Sequence, residues 1–595
     1  MIIKDKIFSK YNERLLIILI IFLTALVYFN SLKNLFVWDD YLIIVNNDFV
    51  KSWENFPAIF SKSYLTFFSD IRLLGMKEIG SGEMTYRPLV TFSYFFDYFL
   101  WKLYPLGYHL TNLIIHILNV LLVYFISLAL IDNKRIALLA CLLFSFHPVN
   151  TEAVNVISFR EDLLASMFFM SSFLLFIRSE RNIGSRRKLF YILSVISFLF
   201  ALFSKEMAVT LPLILILYDY YFIFGQDHSK IFKNFMRRYL AYIIVLSFYM
   251  WIRFFIMDNP SQRPLGYPGG DIFTNIFTMC NILAAYIWNL FVPSNIHLIS
   301  VDDASLISYS ILEPKTIISV LLISALFVLA IKIRKKSNLA SFAMLWFFIC
   351  LAPVLNLIPL RNIMAFRYLY LPVFGFCFLF SLAILNLPRL DIPLVSKDFL
   401  KKLAKNITTI ILISYFVLTM VKNLSWFDNV VLWSEMADIY PDSPNVHSNL
   451  GASFKQYGLL DKAINEYKIA LSLDPTHVPD YNSLGFCYYQ KGLFDQAMKE
   501  FKRALALDPG FLHAYLNLGL VLKTKGLYEE SIKCSQQLLR IDPNFVQAYN
   551  NLGVTYVEMK KWDEAKKAWL KALEINPRYE TARKNLKKLQ SSGYR

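Results

Sequence analysis

Asn449-Leu450-Gly451 returns as Ser483-Leu484-Gly485, as Asn517-Leu518-Gly519 and as Asn551-Leu552-Gly553, each copy 34 residues after the last. The same interval separates Pro475, Pro509, Pro543 and Pro577, and also Ala463, Ala497, Ser531 and Ala565. A small residue, a leucine and a proline at fixed offsets in such a period describe stacked helix pairs, because one pair cannot bury its apolar face alone.

This is the tetratricopeptide pattern, and it predicts an α-solenoid over 426–595. A half-repeat at 426–443, placed by Pro441, precedes repeats near 444–477, 478–511, 512–545 and 546–579; a basic capping helix at 580–592 covers the open end. The half-repeat leads directly out of the preceding apolar helix, so the array is expected to be docked and not loosely tethered. Asn449, Ser483, Asn517 and Asn551 recur on the first, concave-facing helices. A carboxamide both donates to and accepts from peptide backbone, so this row is a candidate grip for extended polypeptide. The competing reading is ordinary helix-surface asparagine. Acids and bases nearly balance over 426–595, which gives the groove no strong charge preference.

Residues 1–425 are of another kind. The 595-residue chain is 56% hydrophobic and 16% aromatic, with 53 phenylalanines, and a mean hydropathy of +0.45. That is too apolar for soluble packing alone. Runs long enough to cross hydrocarbon fall near 15–33, 108–131, 136–152, 163–179, 189–203, 207–224, 239–257, 315–333, 339–356, 368–387 and 406–422, about 11 spans in an all-α chain. The net charge of +17 sits in short basic tracts between them, such as Lys134-Arg135, Arg186-Arg187-Lys188 and Arg334-Lys335-Lys336. These are topology signals and argue against nucleic acid.

With a cytoplasmic N-terminus each tract falls on the cytoplasmic side in turn, and an odd span count puts the repeats outside. Ile272–Phe291 is kept out of the count as an interfacial or re-entrant helix, because counting it would reverse every later tract. Phe92–Leu103 is treated alike, since Asp97 and Lys102 interrupt it. The run Leu15–Tyr28 has a basic start and no small-residue cleavage site, the pattern of an uncleaved signal anchor. The six cysteines lack CxxC or paired spacing, so neither a disulfide framework nor a metal cluster is expected. The expected location is a bacterial inner membrane, or the endoplasmic reticulum in a eukaryote.

By the same parity the unusual charges share the outer face. They are Asp39-Asp40 after the first span, Tyr86-Arg87-Pro88, His147-Pro148-Val149-Asn150-Thr151-Glu152, Arg160-Glu161-Asp162, Ser204-Lys205-Glu206 and Arg367-Tyr368-Leu369-Tyr370-Leu371-Pro372. Ionisable groups beside hydrocarbon are costly and usually face a polar cavity. Two acids and several cations at one membrane face suit a substrate with an anionic, lipid-borne group.

In their order and spacing these motifs, followed by the repeats, resemble the transmembrane and tetratricopeptide repeat-containing O-mannosyltransferases and their bacterial relatives. The resemblance covers nearly the whole chain. It implies a GT-C glycosyltransferase fold, a polyprenyl-phosphate-linked sugar donor, mannose as the usual sugar and Ser/Thr as acceptor. One departure is visible: an acidic residue usually precedes the Arg-Tyr-Leu-Tyr-Leu-Pro motif, and here Phe366 does. The array is also short for that family.

Transfer from a lipid phosphate needs a base for the acceptor hydroxyl and cations for the departing phosphate, but no general acid, because phosphate leaves as a stable anion. Asp39 is the expected base, with Asp40 orienting the acceptor or a metal; the order can be reversed. Arg367, with Tyr368 beside it, is first choice for the phosphate. Arg160, Lys205 and Arg87 follow, with headgroup snorkelling as the competing role of each. His147 is either a donor to phosphate or sugar, or a kinked helix cap. Glu152, on the sugar-donor side of the site, is expected with Asp162 and Glu206 to partner Arg160 and Lys205. His109 and His116 are expected to make interhelical hydrogen bonds. No cofactor is firmly implied beyond the lipid-linked sugar, and the residues leave a divalent metal undecided. Expected partners are that donor, a polypeptide acceptor or partner protein on the repeats, and membrane lipids. The alternative class is a non-catalytic, membrane-anchored repeat scaffold for envelope or secreted-protein assembly. A transporter fits less well, since the charges crowd one face instead of spacing through the midplane.

Overall fold

The computed structural model describes residues 2–60, 86–225, 229–256, 266–267, 269–293, 307–359, 362–389, 391, 393, 395–577 and 579–591. These residues form helices and turns, with no strand among them. They fall into two compact units, one ending at Leu432 and the other beginning at Trp433.

The first unit contains α1 (Ile2–Val27), α2 (Pro88–Trp101), α3 (Pro105–Ile131), α4 (Lys134–Phe146), α5 (Thr151–Asn155), α6 (Arg160–Glu180) and α7 (Gly184–Ser204). It continues with α8 (Leu211–Tyr218), α9 (Ser229–Trp251), α10 (Ile272–Phe291), α11 (Pro314–Ile333), α12 (Asn338–Leu351), α13 (Val373–Asn386) and α14 (Lys397–Leu424). Helix starts follow local chemistry. Proline occupies the first turn of α2, α3 and α11, where its missing N–H costs nothing. The side chains of Asn133, Asp271 and Ser396 cap α4, α10 and α14 by accepting from the first free amides.

Among the described residues seven helices are long and apolar enough to cross a membrane, or eight if the pair Lys134–Phe146 and Pro148–Asn155, bent by 52°, is one broken span. The expected count is eleven. The difference lies in α1, which stops at Val27 before a 3₁₀ turn at Phe29–Lys33, and in the short apolar helices 338–354 and 373–389. Residues 272–291, left out of the expected count, form the full 20-residue helix α10, which is not among the seven. The stretch 92–103, also left out, lies mostly in α2, which ends at Trp101. Apolar rings and small hydroxyls hold the bundle together. Trp346 packs against Phe169, Phe173, Phe342 and Phe374, and Ser172 bonds Ser194 across α6 and α7.

Helix α15 (Asn429–Ile439) carries the chain across the boundary between the units. The second unit then alternates α16 (Pro444–Gln456), α17 (Leu460–Leu473), α18 (Val478–Gln490), α19 (Phe494–Leu507), α20 (Leu512–Thr524), α21 (Tyr528–Ile541), α22 (Val546–Glu558) and α23 (Trp562–Ile575), closed by α24 (Glu580–Ser591). The repeating glycine is a close-approach site. A Cβ on Gly553 would meet the Trp569 ring at 2.5 Å, and one on Gly485 would meet Phe501 at 2.8 Å. The residue 16 positions after Gly519 is Ser535, no ring reaches the glycine, and a Cβ there would have 3.6 Å of room. Ser531 replaces the repeat's buried alanine, and its hydroxyl donates to the Gly519 carbonyl at 2.8 Å. Gly458, Gly492 and Gly526 turn the chain at φ of 73°, 76° and 78°, while Lys560 takes the same place at 60°.

Candidate functional site

The aspartate loop is tied to two distant parts of its unit, 427–429 and Ser158. The Leu35 amide donates to the Phe427 carbonyl at 2.8 Å, and the Trp38 amide to Asn429 Oδ1 at 2.7 Å. Asp40 accepts through Oδ2 from the Val37 amide at 3.0 Å and through Oδ1 from the Ser158 amide at 2.7 Å. Trp38 holds φ at 48°, in the left-handed region where a bulky side chain is strained, and Tyr41–Val45 follow as a single π-helical turn. Both features are uncommon and persist where surrounding contacts over-determine them.

The adjacent acids are not equivalent. Asp40 is wholly buried, whereas Asp39 keeps 8% of its surface exposed. Burial pushes the Asp40 carboxyl up to about 7; the Val37 and Ser158 amides pull it down, and the neighbouring Asp39 charge adds to the rise. Asp40 thus braces the loop against the turn before α6.

That turn is the hub of the site. Phe159 stands between the aspartate loop and the Arg367 segment: its ring meets Trp38 edge-on at 5.5 Å, and the Arg367 guanidinium carbon lies 3.9 Å over it. Arg367 donates through Nη1 to Glu152 Oε1 at 2.5 Å and through its backbone amide to Glu152 Oε2 at 3.0 Å. Glu152 is thus the acidic partner of Arg367. Lys205 bonds both Asp162 oxygens at 2.7 Å, pairs with Glu161 at 3.1 Å, and sits 5.3 Å over the Tyr368 ring. Arg87 bonds Glu161 and pairs with Glu206 at 2.9 Å; Arg253 reaches Glu206 at 3.5 Å. Arg87, Lys205, Arg253 and Arg367 thus face Glu152, Glu161, Asp162 and Glu206, a balanced set beside the aspartate pair. Glu206, with its side chain 32% exposed, is the member nearest solvent.

Arg87, Glu152, Lys205, Arg367 and Tyr368 therefore share one network, which the Trp38–Phe159 contact joins to the Asp39–Asp40 loop, whereas two expected members stand outside it. Arg160 is fully buried, paired with Asp97 at 2.6 Å and bonded to Asn112, Ser93 and the Tyr108 carbonyl. Its donors all point into the protein, so it is a structural tie and not a phosphate ligand. His147 is buried at the α4 bend, where Nε2 donates to the Leu290 carbonyl at 3.1 Å and Nδ1 accepts from the Val149 amide at 3.4 Å. Nδ1 caps the helix break and Nε2 ties it to α10, which is the cap reading of this residue. Glu152 partners Arg367 instead of Arg160 or Lys205, and Glu206 partners Arg87 and Arg253. His116 Nδ1 lies 2.6 Å from the Tyr370 hydroxyl, and His109 Nε2 lies 3.4 Å from the Leu35 carbonyl.

Phe159, Asp97 and Arg253 were not among the expected site residues, and Glu161 was named in its motif without a role. Phe159 precedes Arg160 in sequence, so the same motif could have flagged it; Arg253 stands in an apolar run and carries no local signal. Among the described residues no three His, Cys, Asp or Glu side chains gather to hold a metal ion.

In the second unit Asn449, Ser483, Asn517 and Asn551 are all half-buried. Asn449 donates back to the Asn445 carbonyl at 2.8 Å, and Asn517 Nδ2 donates to Asn482 Oδ1 on the preceding first helix at 2.8 Å. Asn585 repeats that link to Asn550 at 3.0 Å. Part of the amide row therefore bonds within the array.

Fold and site define a polytopic, all-helical membrane protein with a charge-paired polar cluster and a tetratricopeptide array. Family models for the tetratricopeptide repeat match residues 546–579, and models for the TPR repeat match 485–526 and 524–560. Protein O-mannosyl-transferase F38B6.6 of Caenorhabditis elegans is 27% identical over 78% of this chain and 63% of its own length. Protein O-mannosyl-transferase TMTC3 of Homo sapiens is 24% identical over 78% of this chain and 55% of its own. The chain is a homologue of these repeat-bearing O-mannosyl-transferases over about three quarters of its length, and it spans less than two thirds of theirs. Among solved structures, the crystal structure of MamA overlays 25% of this chain and 86% of its own at 28% identity and a TM-score of 0.24, a likeness that carries no argument.

Proposed function

We propose that the chain is a membrane glycosyltransferase that moves a monosaccharide, mannose, from a polyprenyl-phosphate donor to Ser or Thr hydroxyls of a polypeptide held by the repeats. The observation that carries this reading is the Phe159 contact: one ring meets both Trp38 of the aspartate loop and the Arg367 guanidinium. A base and a phosphate ligand are the two groups the transfer requires.

Asp39 takes the proton of the acceptor hydroxyl. The hydroxyl oxygen attacks the anomeric carbon, the carbon–oxygen bond to phosphate breaks, and its electron pair leaves on the phosphate, inverting the anomeric centre. Asp40, engaged with two backbone amides, positions its neighbour. Arg367 and Lys205, with Tyr368 between them, receive the phosphate charge, and Arg87 and Arg253 form the cationic side of the solvent-near Glu206. A guanidinium already aligned by a carboxylate needs little reorganisation to receive an anion. The carboxamide oxygens of Asn449, Asn517 and Asn551 accept from the acceptor backbone. In this reading the N-terminus is cytoplasmic, with the aspartate pair and the repeats on the outer side.

The test is transfer of labelled mannose from polyprenyl-phosphate-mannose to a Ser/Thr peptide by the purified full chain. The expected product is a mannosylated peptide with inverted anomeric configuration. Transfer from a nucleotide sugar, with none from the lipid donor, would contradict the reading.

A further inference from the structure

Away from the charged network, α10, α11 and the segment before Arg367 line an open cavity of ≈ 560 Å³. Its walls are largely hydrocarbon, including Ala284, Trp288 and Ile318, and α11 is one of the membrane-crossing candidates. Four polar residues break the apolar lining: Asn281, Asn289, Lys315 and the buried Ser319. Asn281 is 4% exposed and donates through Nδ2 to Thr316 at 3.1 Å, while its Oδ1 is buried with no hydrogen-bond partner. Asn289 is 5% exposed and donates to the Ala285 carbonyl at 2.9 Å, and its Oδ1 is likewise unpartnered. Lys315 sits in the first turn of α11.

Two buried acceptors left unmatched are costly, and the cost is relieved by a ligand or water that brings hydroxyl donors. The cation asks for an anion, the walls ask for hydrocarbon, and among the described residues that line the cavity none is a carboxylate that would receive an ammonium. We propose that this cavity binds a bilayer phospholipid with a hydroxylated anionic headgroup, of which phosphatidylglycerol is the simplest. Its phosphate lies at Lys315, its headgroup hydroxyl at Asn281, and its acyl chains follow the wall of α11. Asn289, eight residues and about 12 Å further along α10, accepts from water or from a second polar group of the lipid.

The cavity is separate from the proposed transfer site. Phe366 lines it, but the Arg367 guanidinium lies over Phe159 and pairs with Glu152. Resident lipid would brace α10 and α11 behind the Arg367 segment, to which Tyr286 of α10 is already tied through its hydroxyl and the Ala365 backbone.

Lipid retention by the full chain, purified in detergent and offered phosphatidylglycerol, phosphatidylcholine or polyprenyl-phosphate-mannose, is read by native mass spectrometry. Phosphatidylglycerol is expected to be retained about fivefold better than phosphatidylcholine, and Lys315→Gln to remove about that preference. Asn281→Leu is expected to weaken retention further. Lys335→Gln, an exposed cation at the other end of α11, should leave it unchanged. Equal retention of the two phospholipids, or a preference unmoved by Lys315→Gln, would overturn the proposal. Displacement of phosphatidylglycerol by the mannosyl lipid in wild type but not in Lys315→Gln would also overturn it, by making the cavity a donor site. Since Lys315 is exposed and in a first turn, that variant keeps the test valid even if Asn281→Leu fails to fold.

Discussion

Charges in the two units hold the protein together in opposite ways. In the repeat array they pair near home and at the surface. Arg503, half exposed, meets Glu500 three residues away, and Lys491–Asp461 and Lys525–Asp495 join matching positions 30 residues apart, with Asp461 and Asp495 more than four-fifths exposed. In the membrane unit Arg87 reaches Glu161 and Glu206 across 74 and 119 residues, and Arg367 reaches Glu152 across 215, all with the cations buried. Exposed pairs are worth roughly 0–1 kcal/mol, whereas breaking a buried pair from one side costs about 3–5 kcal/mol. The array is thus stabilised by repeated packing with charge as decoration. In the membrane unit, buried charge determines which helices meet.

The largest effect that would break this contrast is at Arg160. Arg160→Met leaves Asp97 buried and uncompensated and should cost about 3–5 kcal/mol, seen as loss of folded protein in detergent. The double variant with Asp97→Leu should recover part of the yield. In the array, where packing governs, Gly553→Ala drives a methyl into Trp569 and should lower the melting temperature by the equivalent of about 1–3 kcal/mol. Gly519→Ala, with 3.6 Å available, should be close to neutral.

A smaller effect is pH-dependent. The folded Asp40 carboxyl is raised to about 7 from an ordinary 3.8, so the folded state keeps a proton that the unfolded chain gives up. Its contribution to stability is therefore complete below about pH 4 and lost as pH rises through about 7. Thermal unfolding between pH 5 and 8 should show wild type losing stability with rising pH relative to Asp40→Asn, which cannot titrate. Smallest is Lys560→Gly, which relieves the left-handed backbone at the one repeat turn lacking glycine and should stabilise the array by at most about 1 kcal/mol.

The same contrast explains what could be read from sequence. The array repeats its contacts every 34 residues, so the spacing of Leu450, Gly485 and Ala497 alone announces how they pack. The lateral bond from Asn517 to Asn482 escaped because neither residue alone signals it. In the membrane unit the short motifs marked Asp39, Asp40, Lys205 and Arg367 as a group, since charge beside hydrocarbon is rare enough to be informative. Their pairing was not legible. Arg160 looked like a phosphate ligand and is a tie to Asp97, and His147 is a cap, because partners so far apart in sequence are set by the topology of the bundle and not by local spacing.

The division of labour between the paired acids rests on one difference: Asp40 is buried on two amides while Asp39 keeps some exposure. Single-turnover transfer from polyprenyl-phosphate-mannose, measured beside donor binding, compares Asp39→Asn with Asp40→Asn in the full chain. Asp39→Asn is expected to bind the donor normally and slow transfer by about 10²–10⁴-fold, with Asp40→Asn retaining more activity and losing chiefly loop order. Wild-type transfer by Asp39→Asn would contradict the assignment of the base.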